Sequence, residues 1–463
     1  MGSSPSVQEI KETQKQYLVI LTGAYFIAGF FWVFIALGSV VLFRQDQGSS
    51  SQSEQAIGTF FYSMIVLLLS NGIWEILTGW YADKFKRRFS ISAGFFVCFV
   101  GFLLMGMSSF VSFSPNGSDQ YYMGPRLYIW LAGVTVWSLG PALLSGAQEA
   151  WLVDRCNFLS MDPPEPLGNV FKTAARLGVI AKALGALICF FVLFLLLVNT
   201  AKTEGRLQLA FSLAGGMAAL SAALLGFYSL RLQEEYWTDP KYQSEESLLD
   251  FMWMGIRDLW KAPYRWFTLA FIGATILNYT LSSSWAYFHT EKIKVLGQER
   301  PAAVIVGGII VIELMAGYLS KAFSKRIDTI HQPKLRMPGA SLMYLLPVLP
   351  LYLISSPPMR SDVFVFVLIA ATSLFRTAHA SVFGTLNAVG QLLIESDERR
   401  ATLLSMSSAL ASFIMALALI VIKNSRSFRS VEEGLQFSWM YLTLPCILML
   451  AGGGYLVAHR VKN

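Results

Sequence analysis

A few ionisable side chains stand inside long apolar runs of this sequence: Glu75, Glu149, Arg176, Lys182, Glu313, Arg376 and His379. An ionisable group in such a setting costs a few kcal/mol or more unless it is partnered, so each is a candidate for handling an ion or a charged solute. Lys182 lies about eleven residues into its run, roughly 16 Å deep at ~1.5 Å per residue. Arg376 falls near the middle of another run, and His379, three residues on, shares nearly the same helix face. Two cations and an imidazole at mid-depth suit an anionic group on a bound solute. The alternative is an internal partner: Glu313, or Glu75, could hold Arg376 permanently and fix only the packing of helices. Asn387 and Tyr25 complete the candidate binding set.

A second group lies nearer one membrane edge. Glu75, Glu149, Asp154, Lys172 and Arg176 are expected to form one ion-pair network that makes and breaks as the protein changes shape. His379 titrates near neutrality when unperturbed. With the intramembrane carboxyls Glu75, Glu149 and Glu313, it makes a proton-coupled cycle chemically accessible. Enzyme chemistry finds no footing. No His/carboxylate cluster has metal-ligand spacing, and no nucleophile motif or phosphate-binding Gly-x-x-x-x-Gly-Lys loop occurs. Cys98, Cys156, Cys189 and Cys446 have no paired spacing, so neither a metal nor a cofactor is expected.

What positions these groups follows from composition. Of the 463 residues 54% are hydrophobic and 14% charged, against roughly 25% charged in a soluble domain. That excludes a soluble enzyme and a disordered chain. At about 20 apolar residues per span, the apolar runs predict an all-α membrane protein of twelve transmembrane helices. Six lie in residues 17–230 and six in 264–458, with tails at 1–16 and 459–463 and a charged linker at 231–263. Span four is read as one run, Leu127 to Val153, and span eleven as Ala401 to Ile422. In the linker, Ser247-Leu-Leu-Asp250 reads as a capping box opening a short amphipathic helix. The first apolar run is too long for a cleaved leader and is expected to remain as a span.

The net charge of +7 sits in short loop clusters. That is how orientation in a membrane is set, and it does not suggest nucleic-acid binding. Lysines and arginines concentrate on the side holding both termini, Lys84 to Arg88, the linker and Lys321 to Arg336, so both termini are expected to be cytoplasmic, in a plasma membrane.

The two halves repeat. At one constant offset Glu75 falls on Glu313, Gly79 on Gly317, Gly146 on Gly384 and Ala150 on Ala388. After span two the sequence runs Gly79-Trp80-Tyr81-Ala82-Asp83-Lys84-Phe85-Lys86-Arg87-Arg88. With Ser145-Gly146-Ala147-Gln148-Glu149-Ala150, it resembles bacterial members of the major facilitator superfamily, over Tyr17 to Ala458. Gly79, Asp83, Lys84, Arg87 and Arg88 match the family signature, while Lys86 replaces its second glycine and Lys321 replaces the carboxylate in the second-half copy.

The resemblance implies two pseudo-symmetric six-helix bundles, alternating access, and an Asp83 that latches the halves on the cytoplasmic side. It implies a small-molecule substrate, proton coupling and a monomer in the bilayer, with span ten lining the cavity. Drug and proton antiporters of the superfamily carry an arginine in span four and a Gly-Pro pair in span five. Here Ala142 holds the first position, and no proline separates Gly178 from Gly185. The expected function is therefore proton-linked transport of an organic anion or anionic amphiphile. The alternatives are efflux of lipophilic cations by proton antiport and, from another class, a transport-inactive receptor or scaffold.

Overall fold

A computed structural model describes residues 7–41, 51–111, 124–159, 165–198, 204–234, 247–261, 264–278, 400–424 and 445–455. It also describes single positions at 319 and between 374 and 393. The described residues are helical and contain no strand. The chain runs α1 (Val7–Val41), α2 (Ser51–Lys84), α3 (Arg87–Ser108), α4 (Pro125–Leu144), α5 (Ala147–Phe158), α6 (Glu165–Val198), α7 (Glu204–Ser229) and α8 (Leu248–Leu259). It continues with α9 (264–278), α10 (Arg400–Asn424) and α11 (Pro445–Tyr455).

Seven segments among the described residues are long and apolar enough to cross a membrane: six in the first half, and Leu403–Val421 of α10. α7 shows how lipid shapes them. Leu209, Leu213, Met217, Leu220, Leu224 and Phe227 face outward, while Ala210, Ala214, Ala218 and Ala222 are fully buried. Small residues turned inward let helices approach closely where no hydrophobic drive separates lipid from protein. The same logic joins α1 to α6. A Cβ added at Gly29 would meet the Lys182 carbonyl, and one at Gly185 the Phe26 carbonyl, so the two backbones touch.

Within the first half α1 packs on α6, α3 lies between α4 and α7, and α2 leans on α4. Aromatic rings fill the space between. Phe31 stacks on Trp137 at 3.4 Å and Phe34 on Trp130 at 5.8 Å between ring centres. The buried Trp130 needs a partner for its indole N–H, and it donates to Ser63 Oγ at 3.0 Å. In the second half α9 packs on α11, where Gly273 and Gly453 bring the chains together. α10 lies along α2.

Span four departs from the single run read in the sequence. It breaks between α4 and α5, and Gly146 at φ 72° makes the corner. Pro141 lacks a backbone N–H and weakens the preceding turn. Three of the carbonyls the break releases are taken up. Ser145 N–H donates to Pro141 O at 2.7 Å, Thr78 Oγ1 to Ala142 O at 2.9 Å and Ser90 Oγ to Leu143 O at 2.8 Å. Non-helical backbone within a membrane is tolerated where protein buries and satisfies it in this way.

In the linker, Ser247 accepts the Asp250 N–H at 3.3 Å at the start of α8. Leu249, Trp253, Ile256 and Trp260 lie exposed on one side of α8, while the buried Leu259 marks its packed side.

Candidate functional site

Two constellations carry the chemistry, and both involve α2. The first is at its Lys84 end. Asp83 and Arg87 pair at 3.3 Å across the turn into α3, and Arg87 pairs also with Asp154 of α5, all three fully buried. One guanidinium between two carboxylates is a planar, fixed arrangement that lysine would not reproduce.

Around this triad the chain is stapled further. Arg88 donates its backbone N–H to Glu234 at 2.8 Å, with the guanidinium 3.8 Å from the same carboxylate. Arg155 donates to the Gln233 side chain at 2.8 Å, and Trp151 to the Gln233 carbonyl at 3.1 Å. Lys84 stands over the Trp80 ring at 4.8 Å. Every partner belongs to the first half or to the start of the linker that follows it. The Asp83 contacts therefore tie α2, α3 and α5 to one another.

The second constellation is the seam between α2 and α10, which join the two halves. The helices run antiparallel, so contacts march in opposite directions along them. Lys423 stands over Tyr62 at 3.0 Å, Asn71 Nδ2 donates to Ser412 Oγ at 3.2 Å and Ser408 Oγ donates to Glu75 Oε1 at 3.1 Å. At the Lys84 end, Ser405 Oγ donates to the Ser145 carbonyl in the broken span at 3.4 Å. Phe413 fills the space beside Gly72, where a Cβ would collide with its ring. Ser405, Ser408 and Ser412 recur at three- and four-residue spacing and so form one face of α10.

Glu75 is only 3% exposed. Its neighbours are Ser405, Ser408, Ser145 and Asn71, all neutral, and its Oε2 is buried without a hydrogen-bond partner. Burying a carboxylate without a counter-charge carries a penalty of several kcal/mol, so this position is sensitive to charge.

Of the five residues expected in one network at the membrane edge, Asp154 pairs with Arg87, Glu75 faces the α10 serines, and the Lys172 side chain lies outside the described residues. Glu149 sits in the first turn of α5, facing the N–H groups of Gly146 and of its own backbone, where a helix dipole favours negative charge. Among the described residues no ion pair joins Glu75, Glu149 and Arg176; Arg176 is half-buried on α6. Among the described residues no cation faces the Glu75 carboxyl; Arg376, the cation it was expected to hold, lies outside them.

Of the mid-depth set, Lys182 reaches over the face of Trp32 on α1, 5.7 Å from the ring centre, an attraction of the cation–π kind. Tyr25, also on α1, packs against Gly178 of α6. His379 lies between Phe375 and Phe383, at 6.3 and 5.2 Å between ring centres, and Phe383 in turn contacts Phe271 of α9. Arg376, Glu313 and Asn387 lie outside the described residues, as does the Lys172 side chain. Gly79 is buried near the end of α2. The sequence reading missed the α10 serines, although their helical spacing opposite Asn71 and Glu75 was a visible signal. It also missed Gln233 and Glu234, which no spacing rule connects to Arg155 and Arg88.

A bundle of apolar helices joined by a polar seam defines the class: an α-helical membrane protein. The particular fold is that of the major facilitator superfamily. The chain matches the superfamily's proton:xylose symporter XylE, bound to 6-bromo-6-deoxy-D-glucose, over 95% of each chain at 14% identity and TM-score 0.65. It matches a bacterial homologue of the iron transporter ferroportin, in the outward-facing state, over 97% of this chain and 100% of that one at 15% identity and TM-score 0.62. FucP, in its outward conformation, matches over 97% and 99% at 13% identity and TM-score 0.60. No protein-family model and no curated protein matches the sequence.

Proposed function

We propose that this protein is a secondary active transporter working by alternating access, coupled to protons, with a mid-depth site for an organic anion or anionic amphiphile. The observation that carries the reading is the seam. Its named polar contacts between the halves are hydrogen bonds from serine and asparagine, worth on the order of 0.6 kcal/mol each in membrane proteins, and one cation–π contact, Lys423 over Tyr62. The ion pairs around Asp83 stay within one half. A seam whose named contacts include no ion pair can part and re-form, as alternating access requires.

The anion preference rests on Lys182 beside Trp32, on His379 among its aromatic neighbours and on Arg376 in the sequence. Proton coupling is also the property named for the XylE symporter, whose fold this chain shares. With basic loops inside, both termini are cytoplasmic in a plasma membrane, the halves span residues 17–230 and 264–458, and the protein acts as a monomer.

Purified protein in liposomes under an imposed proton gradient tests the reading. Accumulation of an organic anion from a broad solute panel is expected. No flux of any solute in the panel would overturn it, and flux confined to lipophilic cations would overturn the anion preference.

A further inference from the structure

We infer that the exposed apolar side of α8 inserts into the bilayer at the Lys84 end of α2, and that Arg257, Lys261 and Arg265 beside it hold the headgroups of anionic phospholipids. The partner is a lipid surface, whatever solute the protein carries.

The place of α8 in the fold comes first. It packs against α2 of the first half and α10 of the second. It leads within a few residues into α9, where the Arg265 N–H donates to the Lys261 carbonyl at 2.9 Å. One turn into α9, Thr268 Oγ1 lies 3.5 Å from Ser407 Oγ, about two turns from the Arg400 start of α10. That end of α10 meets Glu75 and the Ser145 carbonyl, and its apolar window opens at Leu403. α8 therefore sits where the α2 and α10 spans reach the membrane edge.

The helix has three different sides. Gly255 and Leu259, four residues apart, are buried and form the packed side. Leu249, Trp253, Ile256 and Trp260 recur at four- and three-residue spacing and make one stripe. All four are exposed, Leu249 at 77% and Trp253 at 70%. Tryptophan is favoured at headgroup depth, and an apolar stripe on a helix held at the membrane edge finds its match in the acyl chains beside it. Arg257 and Lys261, also four residues apart and both exposed, form the third side. Exposed Arg265 follows at the same spacing, its guanidinium 4.8 Å from the Trp266 ring centre.

The balance of charge selects the kind of lipid. Among the described residues the carboxylate beside these cations is Asp258, 2.5 Å from Lys261 and 3.9 Å from Arg257. One acid thus faces three bases. Asp250 belongs to the other end of the helix, where Ser247 Oγ donates to it at 2.6 Å. A net positive rim around the Trp260 end of an apolar stripe complements acyl chains topped by anionic headgroups. An acidic soluble partner would answer the rim and leave the stripe without its acyl-chain neighbour.

Cys98, Cys156, Cys189 and Cys446 are buried, so a nitroxide attached to Leu249→Cys or Ile256→Cys reports from α8 in the full chain. The protein is reconstituted in vesicles of phosphatidylcholine and phosphatidylglycerol. Relaxation of both labels by oxygen, which concentrates among acyl chains, is expected to exceed relaxation by a water-soluble nickel complex. Dominant relaxation by nickel, the result for a face kept for a soluble partner, would overturn insertion. The headgroup is read separately, from protection of the detergent-solubilised protein against thermal unfolding by added phosphatidylglycerol. The lipid concentration giving half of that protection is expected to rise roughly fivefold in Arg257→Gln and as much again when Arg265→Gln is added, the scale of one basic residue at an anionic surface. Equal protection by phosphatidylcholine, or an unchanged midpoint in the double variant, would overturn the anionic headgroup. Equal protection by free glycerol phosphate would overturn the bilayer as its source.

Discussion

Two positions on the same helix meet burial in opposite ways. At its Lys84 end, α2 buries Asp83 beside Asp154 of α5, Arg87 of α3 answers both, and the whole arrangement stays within one half. Two turns earlier it buries Glu75 against serines and asparagine of the opposite half. The first solution is rigid, because removing either sign of charge leaves the other uncompensated. The second holds no opposing charge among the described residues and forms across the boundary between the halves. Charge that is paired locally builds a body; a carboxyl set among neutral neighbours leaves its boundary sensitive to charge.

The comparison makes graded predictions. Replacing Arg87 by Met leaves Asp83 and Asp154 buried together without a cation, and it should lower stability by about 3–5 kcal/mol, read as unfolding of the detergent-solubilised protein. A loss below 1 kcal/mol would show the staple to be ornamental. The Gly146→Ala change forces a side chain onto φ 72° and should destabilise by about 1–2 kcal/mol, with Ala142→Val at the same break as a packing control.

Glu75→Gln should behave unlike Arg87→Met. It removes a charge that has no partner, so stability should change by less than about 1 kcal/mol or rise; a loss as large as that of Arg87→Met would erase the distinction between the two regions. The smallest effect is expected in a double-mutant cycle of Asn71→Ala and Ser412→Ala, with a coupling of about 0.6 kcal/mol.

Much of the architecture was legible in the sequence because lipid imposes a strong signal. The apolar runs, the basic loops and the Gly79-to-Arg88 stretch pointed to a two-bundle membrane fold, and the solved structures share that fold over nearly the whole chain. The break in span four was visible as Pro141 and Gly146, but hydropathy does not register a corner made of apolar residues. Its consequences, the serine and threonine hydroxyls that cap released carbonyls, depend on three other helices.

The expected network of Glu75, Glu149, Asp154, Lys172 and Arg176 came from depth along each span. Depth says nothing about the side of the helix or about a change of axis at Gly146. The Arg87 partnership with Asp154 is a tertiary contact between residues far apart in the chain. The seam serines were the missed regularity: neutral residues at helical spacing, set aside because the search began from charge.

The central claim is that the seam parts in each cycle while the staple holds. A short thiol-specific cross-linker can bridge paired cysteines placed at Asn71 and Ser412 across the seam or, separately, at Arg88 and Glu234 in the staple between α3 and the start of the linker. Solute flux in liposomes is then followed before and after bridging. The account predicts that bridging the seam stops flux and that bridging the staple leaves it running; flux that continues through a bridged seam would contradict it.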